Sequence, residues 1–252
     1  MNYRTSTGNS ARRRGTYGVD APYVPALYGV VGLGLLGWGL VSLAVDGLAP
    51  APWAVLAGCV ALAAAALFLY VTRRGKFLVW EKLLDELALR GDEQILDLGC
   101  GRGAVLLAAA RRIPDGRAHG VDLWRSQDQS GNHPAVTERN AQAEGVADRI
   151  ELHTADMTQL PFEDGRFDLV ISSLAIHNIS DPAGRASAVE EAVRVLRPGG
   201  RLVIVDLRNA RQYGAHLQRL GLSGVTCRGA GARMWWSGPW VPTMVVSATK
   251  PS

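Results

Sequence analysis

Between Ala21 and Thr72 the chain carries a single charged side chain, Asp46, which divides 25 uncharged positions (21–45) from 26 more (47–72). A helix needs about 20 predominantly apolar residues to cross a hydrocarbon core of about 30 Å, so either run is long enough to span with some tilt. Soluble helices keep a polar face, and two in succession without one do not suit a buried soluble hairpin. The basic start and Ala49-Pro50-Ala51 mimic a cleaved signal peptide, but the apolar run is too long and a second follows it. Pro25 and Pro52 suit first turns, which predicts transmembrane helices over about 25–45 and 52–72. Arg4, Arg12, Arg13 and Arg14 precede the first run, and Arg73, Arg74 and Lys76 follow the second, while the connection has no Lys or Arg. The positive-inside rule then predicts a multi-pass cell-membrane protein whose N-terminus and C-terminal domain are both cytoplasmic. Tyr23, Tyr28, Trp53 and Tyr70 fall near the span ends, as an aromatic belt would. Ala57, Ala61 and Ala65, with five glycines between Gly29 and Gly39, predict close packing of the two helices. Residues 1–20 read as a disordered basic tail.

Beyond the spans, residues 73–252 hold 23 Lys+Arg against 21 Asp+Glu. A part so near neutral and so mixed in sign argues against nucleic acid as a partner. Cys59, Cys100 and Cys227 make no disulfide framework and lack metal-ligand spacing, so no metal is expected. His119 and His153 read as packing residues in or at the ends of strands.

Here short apolar runs alternate with helical patterns. Helices are predicted over about 76–90, 104–112, 134–144, 183–196 and 210–220. Strands are predicted at 95–98, 117–121, 149–153, 167–172, 201–207, 225–228 and 241–248, with the last two close enough to pair. Arg197-Pro198-Gly199-Gly200 reads as a turn. This alternation predicts a Rossmann-like, doubly wound α/β domain over 75–252 with a mostly parallel seven-stranded sheet.

The most informative string is Ile95-Leu96-Asp97-Leu98-Gly99-Cys100-Gly101-Arg102-Gly103, which follows a strand and opens a helix. Glycines there let the backbone turn sharply and come close to a ligand. Asp97 at the strand's carboxyl end would repel a pyrophosphate and suits an ammonium group instead. The second strand ends in Asp122, where a carboxylate can accept from both hydroxyls of a ribose. Asp156 follows the third strand, so three successive strands each bring an Asp to one sheet edge. The chemistry asked for is a nucleoside with a diol and an ammonium but no phosphate.

The string Asp97 to Gly103, with Leu160-Pro161-Phe162, Phe167-Asp168-Leu169-Val170 and Leu196 to Gly200, resembles class I S-adenosylmethionine-dependent methyltransferases of the ubiquinone/menaquinone-biosynthesis branch. The resemblance covers about 76–250. It implies S-adenosyl-L-methionine as cofactor. Asp97, Leu98, Gly99, Cys100, Gly101 and Gly103 would cradle its methionine part, Asp122 and Leu123 the ribose, Asp156 and Met157 the adenine. Ser173, within the Ser172–His177 segment, would face the acceptor and the cofactor's amino-acid end. Cys100 also reads as small packing, and Asp156 also as a helix cap. The sequence departs from the family after Asp122, where 123–133 intervenes before the next helix. That insertion reads equally as a lid or as a solvated loop.

Methyl transfer from a sulfonium needs alignment and exclusion of water, and needs a base only for an alcohol, phenol or carbon acid. His177 is the candidate base, since imidazole titrates near neutral pH; it also reads as a structural histidine. Met234-Trp235-Trp236 and Trp240 would face the membrane, line an apolar acceptor pocket, or pack the sheet end. The anchor points to a small-molecule or lipid acceptor. Two other classes stay open: an idle cofactor-binding scaffold or sensor, and a nicotinamide-dependent oxidoreductase, against which Asp97 speaks.

Overall fold

In strand β1 (Gln94–Leu98), Ile95 turns to one side of the sheet and Leu96 and Leu98 to the other, and all three are fully buried. A strand apolar on both faces must lie between two layers. The computed structural model describes residues 13–45 and 50–252. The Arg4 and Arg12 topology signals, most of the expected disordered tail and the 46–49 connection lie outside the described residues.

The strands are β1, β2 (Arg117–Asp122), β3 (Ile150–Thr154), β4 (Phe167–Ser173), β5 (Leu196–Asp206), β6 (Ser223–Gly229) and β7 (Met244–Thr249), in the order β3-β2-β1-β4-β5-β7-β6. Only β7 runs against the rest. The seven-stranded, mostly parallel sheet therefore agrees with the expectation. The order reverses beside β1, so the crevice at the carboxyl ends of β1 and β4 is where a ligand lies in such a sheet.

Helices α1 (Tyr23–Val45) and α2 (Ala51–Tyr70) form a hairpin; α3 (Lys76–Glu86), α4 (Leu106–Ala110), α5 (Pro134–Glu144), α6 (Pro182–Val195) and α7 (Ala210–Arg219) belong to the sheet domain. One core gathers α3, α4 and Ala141 of α5 over Ile95, Leu169 and Ile171; the other gathers α6 and α7 over Leu96, Leu98 and Val170. Helices therefore cover both faces.

Several boundaries differ from the expectation. The helix predicted to reach residue 90 ends at Glu86, because Ala88 turns into the left-handed region (φ 45°). The predicted turn 197–200 is a bulge inside β5: Phe167 pairs with Leu196 and Leu169 with Arg201, so four residues loop out between them. The last strand starts at Met244 rather than 241; Pro242, which has no N–H to give a ladder, makes only an isolated bridge to Trp235.

The second apolar run does not stop at the domain. Residues Ala51–Glu86 form one 36-residue helix with a π turn at Val71–Gly75. Nothing in Thr72-Arg73-Arg74 breaks a helix, and Gly75 is required because a Cβ there would fall 1.9 Å from the Arg233 carbonyl oxygen. Both α1 and the α2 segment are long and apolar enough to cross a membrane. Leu27, Val30, Leu33, Trp53, Leu56 and Val60 stand exposed on them. The packing seam differs from the predicted alanine stripe. Ala57 is exposed and Ala61 half-buried, while Ala65 is buried with Ala51, Ala54, Gly58, Ala64 and Phe68. A Cβ on Gly58 would meet the Leu36 nitrogen at 2.7 Å, so glycine sets how closely the two backbones approach.

Residues 13–20, expected within a disordered tail, form a strap along the domain. Glu144 Oε1 accepts from the Arg14 and Gly15 amides and the Tyr17 hydroxyl, and Asn140 holds the Thr16 amide and carbonyl. Tyr17 is buried against Phe77 with ring centroids 5.2 Å apart. One aromatic anchor and this ring of hydrogen bonds offset the ordering entropy that composition alone suggested would win.

Candidate active site

A cavity of about 700 Å³ opens at the carboxyl ends of β1 and β4. The run Ile95-Leu96-Asp97 is a buried strand that must end where its backbone turns, and Gly99 (φ 74°) and Gly101 (φ 50°) make that turn. A Cβ on Gly99 would fall 2.2 Å from the Ala175 Cβ, and one on Gly101 would fall 2.6 Å from Gln129 Oε1. The glycines therefore admit neighbouring loops as well as a ligand.

Asp97 lines the cavity with 1% exposure, and its Oδ1 has no hydrogen-bond partner among the described residues. Burial, and then the charge of nearby Asp122, push its carboxyl up to about 8. A buried acid with an unmatched oxygen facing a cavity is a receptor for a cationic donor. Asp122 also lines the cavity. Its Oδ2 accepts from the Gly101 amide at 2.8 Å; its Oδ1 accepts from the Trp124 amide at 2.6 Å and the Asn132 side chain at 3.2 Å. A carboxylate has about four acceptor positions. A diol would fill the remaining one and displace Asn132, the longest of the three.

The structure brings Asp97, Gly99, Cys100, Gly101, Asp122, Leu123, Asp156, Met157, Ser173 and His177 to this one cavity. Leu98 and Gly103 do not line it. Leu98 is buried in the core with its carbonyl accepting from Ser172 Oγ, and Gly103 (φ 83°) faces Leu107 and Thr137. Cys100 is buried and burial pushes its thiol up, which fits packing rather than reactivity. Asp156 Oδ1 accepts from the Thr158 amide and hydroxyl, so it shapes a turn and caps no α-helix. Ser173 Oγ accepts from Trp80 Nε1 at 2.8 Å.

Behind His177 stands Asp206, fully buried at the end of β5 and absent from the expected set. Its Oδ1 meets His177 Nδ1, and its Oδ2 accepts from the His177 amide at 3.1 Å. A carboxylate on Nδ1 fixes the ring so that Nε2 carries the lone pair. Ile204-Val205-Asp206 is the same apolar-run-then-Asp signal that marked Asp97 and Asp122, and would have found it.

The insertion 123–133 is largely exposed but not detached. Gln129 and Asn132 are buried, and Gln129 Oε1 accepts from the Arg102 amide at 2.8 Å. Gln129 Nε2 donates to Asp20 Oδ1, and Asp20 Oδ2 takes Lys76 Nζ and Thr72 Oγ1, each at 2.6 Å. Tyr23 and Val24 from α1, Phe68 from α2, and Val241 also reach the cavity and were missed, whereas Trp236 lines it as one reading of the aromatic patch expected. Trp236 packs edge-on against Phe68, with centroids 4.8 Å apart. No single stretch of sequence signals a wall built from both ends of the chain.

Comparison with known proteins agrees with this geometry. Residues 96–204 match the family described as methyltransferase domain. The ubiquinone/menaquinone biosynthesis C-methyltransferase of Roseobacter denitrificans is 35% identical over 126 residues, 50% of this chain and 47% of that protein. The 27-O-demethylrifamycin SV methyltransferase of Amycolatopsis mediterranei is 34% identical over 50% of this chain and 43% of that one. The chain spans about half the length of these relatives. In fold, a SAM-dependent methyltransferase of Aquifex aeolicus superposes with a TM-score of 0.54 at 19% identity, covering 68% of this chain and 88% of that one. Residues 96–204 thus match the methyltransferase domain in sequence, the fold agrees, and S-adenosylmethionine is the cofactor.

Proposed function

We propose that the chain is a membrane-anchored methyltransferase that alkylates a small, lipophilic acceptor through an acidic O–H or C–H. The observation that carries this reading is the composition of the cavity wall. Asp97 and Asp122 line it together with Tyr23, Val24, Phe68, Trp236 and Val241, three of these five from the hairpin. An acceptor that partitions into the bilayer would meet this wall at the hairpin's end, at a raised local concentration. The quinone-biosynthesis relative supports an acceptor of that polarity.

Bound S-adenosylmethionine supplies an already activated methyl group. In this reading Asp97 takes its ammonium, Asp122 its ribose, and the apolar wall excludes water, so that the residues chiefly align. His177 removes the acceptor's proton at Nε2, and Asp206 holds the ring and stabilises the imidazolium that forms. The basic flanks support a cytoplasmic domain and N-terminus in the cell membrane.

The test is transfer of labelled methyl from S-adenosylmethionine into whole membrane extract by the purified full chain. Label in the organic phase is expected; label only in water-soluble products would refute the lipophilic acceptor. Exposed Cys227 tests the topology. A membrane-impermeant maleimide should reach it only after the cells are opened, and labelling in intact cells would reverse the orientation.

A further inference from the structure

On the sheet edge away from the cavity wall, β2 and β3 pair so that His119 stands opposite Glu151. The period of two turns His153 to the same face as Glu151. His119 Nδ1 lies 3.1 Å from His153 Nε2. The Glu151 carboxylate straddles both rings, with Oε1 3.4 Å from His153 Nε2 and Oε2 3.6 Å from His119 Nδ1. A tetrahedral zinc ion with bonds of about 2.0–2.1 Å sets its donors about 3.3–3.4 Å apart. The two nitrogens are thus within a few tenths of an ångström of two corners of such a site, and the carboxylate offers each of them one oxygen near that spacing.

Proton counting points the same way. A neutral imidazole has one N–H and one lone pair. The facing nitrogens can share one proton, and the carboxylate adds further lone pairs to the same spot. Lone pairs therefore outnumber protons where the three side chains converge. Among the described residues no group pairs with His119 Nε2, so none of them bars the tautomer that frees Nδ1. Arg166 and Arg117 oppose a cation here, and the charge of Glu151 offsets part of that opposition. Phe162 and Phe167 pack edge-on around His119 and fix its ring.

We propose that His119, Glu151 and His153 form a binding site for a divalent transition metal of the zinc class, with its remaining position open to solvent. Access comes from the edge: β3 is the outermost strand, and the Glu151 side chain is about half exposed. Two imidazoles and one carboxylate suit zinc or cobalt better than magnesium or calcium, which prefer oxygen. A metal there would tie the edge strand to β2 just before Thr154, whose hydroxyl accepts from Trp124 of the insertion.

The test uses the full chain in detergent, with any affinity tag removed and chelator dialysed away. Equilibrium dialysis against Zn²⁺ should leave one equivalent bound, and Co²⁺ should give visible d–d bands of a four- or five-coordinate ion. His153→Ala should weaken binding at least tenfold. Glu151→Gln, which keeps the side chain's shape, should weaken it with the melting curve of the metal-free protein unchanged. Absence of stoichiometric Zn²⁺ in the wild type, or equal retention by the wild type and both variants, would overturn the site.

Discussion

Asp97 offers a quantitative handle on cofactor recognition. Its carboxyl sits near 8 because burial penalises the charged form and Asp122 repels it. A ligand ammonium needs the ionised form, so below pH 8 each binding event must first expel a proton. At pH 7 about nine-tenths of the protein carries that proton, and binding should release about 0.9 of one. Affinity for S-adenosylhomocysteine should therefore rise about tenfold from pH 6 to pH 7, then flatten above pH 8. Titration calorimetry in two buffers of different ionisation enthalpy reads the proton release directly. Asp97→Asn should abolish the slope and weaken binding at pH 8 by about 10–150-fold, the range of a charge-assisted hydrogen bond worth about 1.5–3 kcal/mol. The same group makes a second, opposite-signed statement about folding. Its folded value lies above the model-compound 3.8, so the folded chain holds more protons between pH 4 and 8, and ligand-free stability falls as pH rises through that window. A flat wild-type affinity between pH 6 and 8, or an Asn variant that keeps the wild-type slope, would refute the assignment of Asp97 to the ammonium.

Three further perturbations separate the parts of the site. Asp206→Asn should lower kcat about 10²-fold with little change in cofactor affinity, because it releases the His177 tautomer while leaving the cradle intact; a matched loss in cofactor binding would make the pair structural. Asp20→Ala should destabilise by about 3–5 kcal/mol, since Lys76 is 4% exposed and would keep a buried, uncompensated charge. Adding Lys76→Met should recover most of the lost melting temperature, and no recovery would remove charge as the cause. Gly99→Ala should abolish cofactor binding in a protein that still folds, because its Cβ would collide with Ala175 at a left-handed turn; wild-type affinity would show that the loop yields.

What the sequence made legible was what repeats locally. Burial on both faces of β1 follows from an apolar run of strand length, and the Asp at its end marks where the strand meets the crevice. Helix α5 was bounded at both ends by Pro134 and by Gly145, which turns left-handed at φ 72°. What stayed hidden depends on contacts distant in sequence. Arg13 to Asp20 looked like a tail because none of its residues repeats with a helix or strand period. Its order comes from Glu144 and Asn140, more than 120 residues away. The helix joining the apolar hairpin to the domain looked like two because charge begins abruptly at Arg73, yet charge does not interrupt a helix. His119 and His153 each looked like packing, and only the register of β2 against β3 brings their nitrogens together.

The departure from the family pattern after Asp122 gains a physical meaning from these contacts. A glycine loop can be held by its own domain, and Asp122 already accepts from the Gly101 amide. In this chain the next residue, Arg102, is held by Gln129 of the insertion; Gln129 is held by Asp20, and Asp20 by Lys76 and Thr72 at the end of the hairpin. Each contact leaves a buried or half-buried polar group unpaired if its partner moves away, and such a loss costs about 1–3 kcal/mol. The insertion is thus the piece that lets the cofactor loop and the apolar hairpin share one set of hydrogen bonds. A tilt of α2 that parted Lys76 from Asp20 would be felt at Arg102, one residue from the glycine that faces the cavity. Cutting out 124–131 should therefore leave the sheet intact and weaken cofactor binding, whereas the same cut in a loop without these bonds would leave both unchanged.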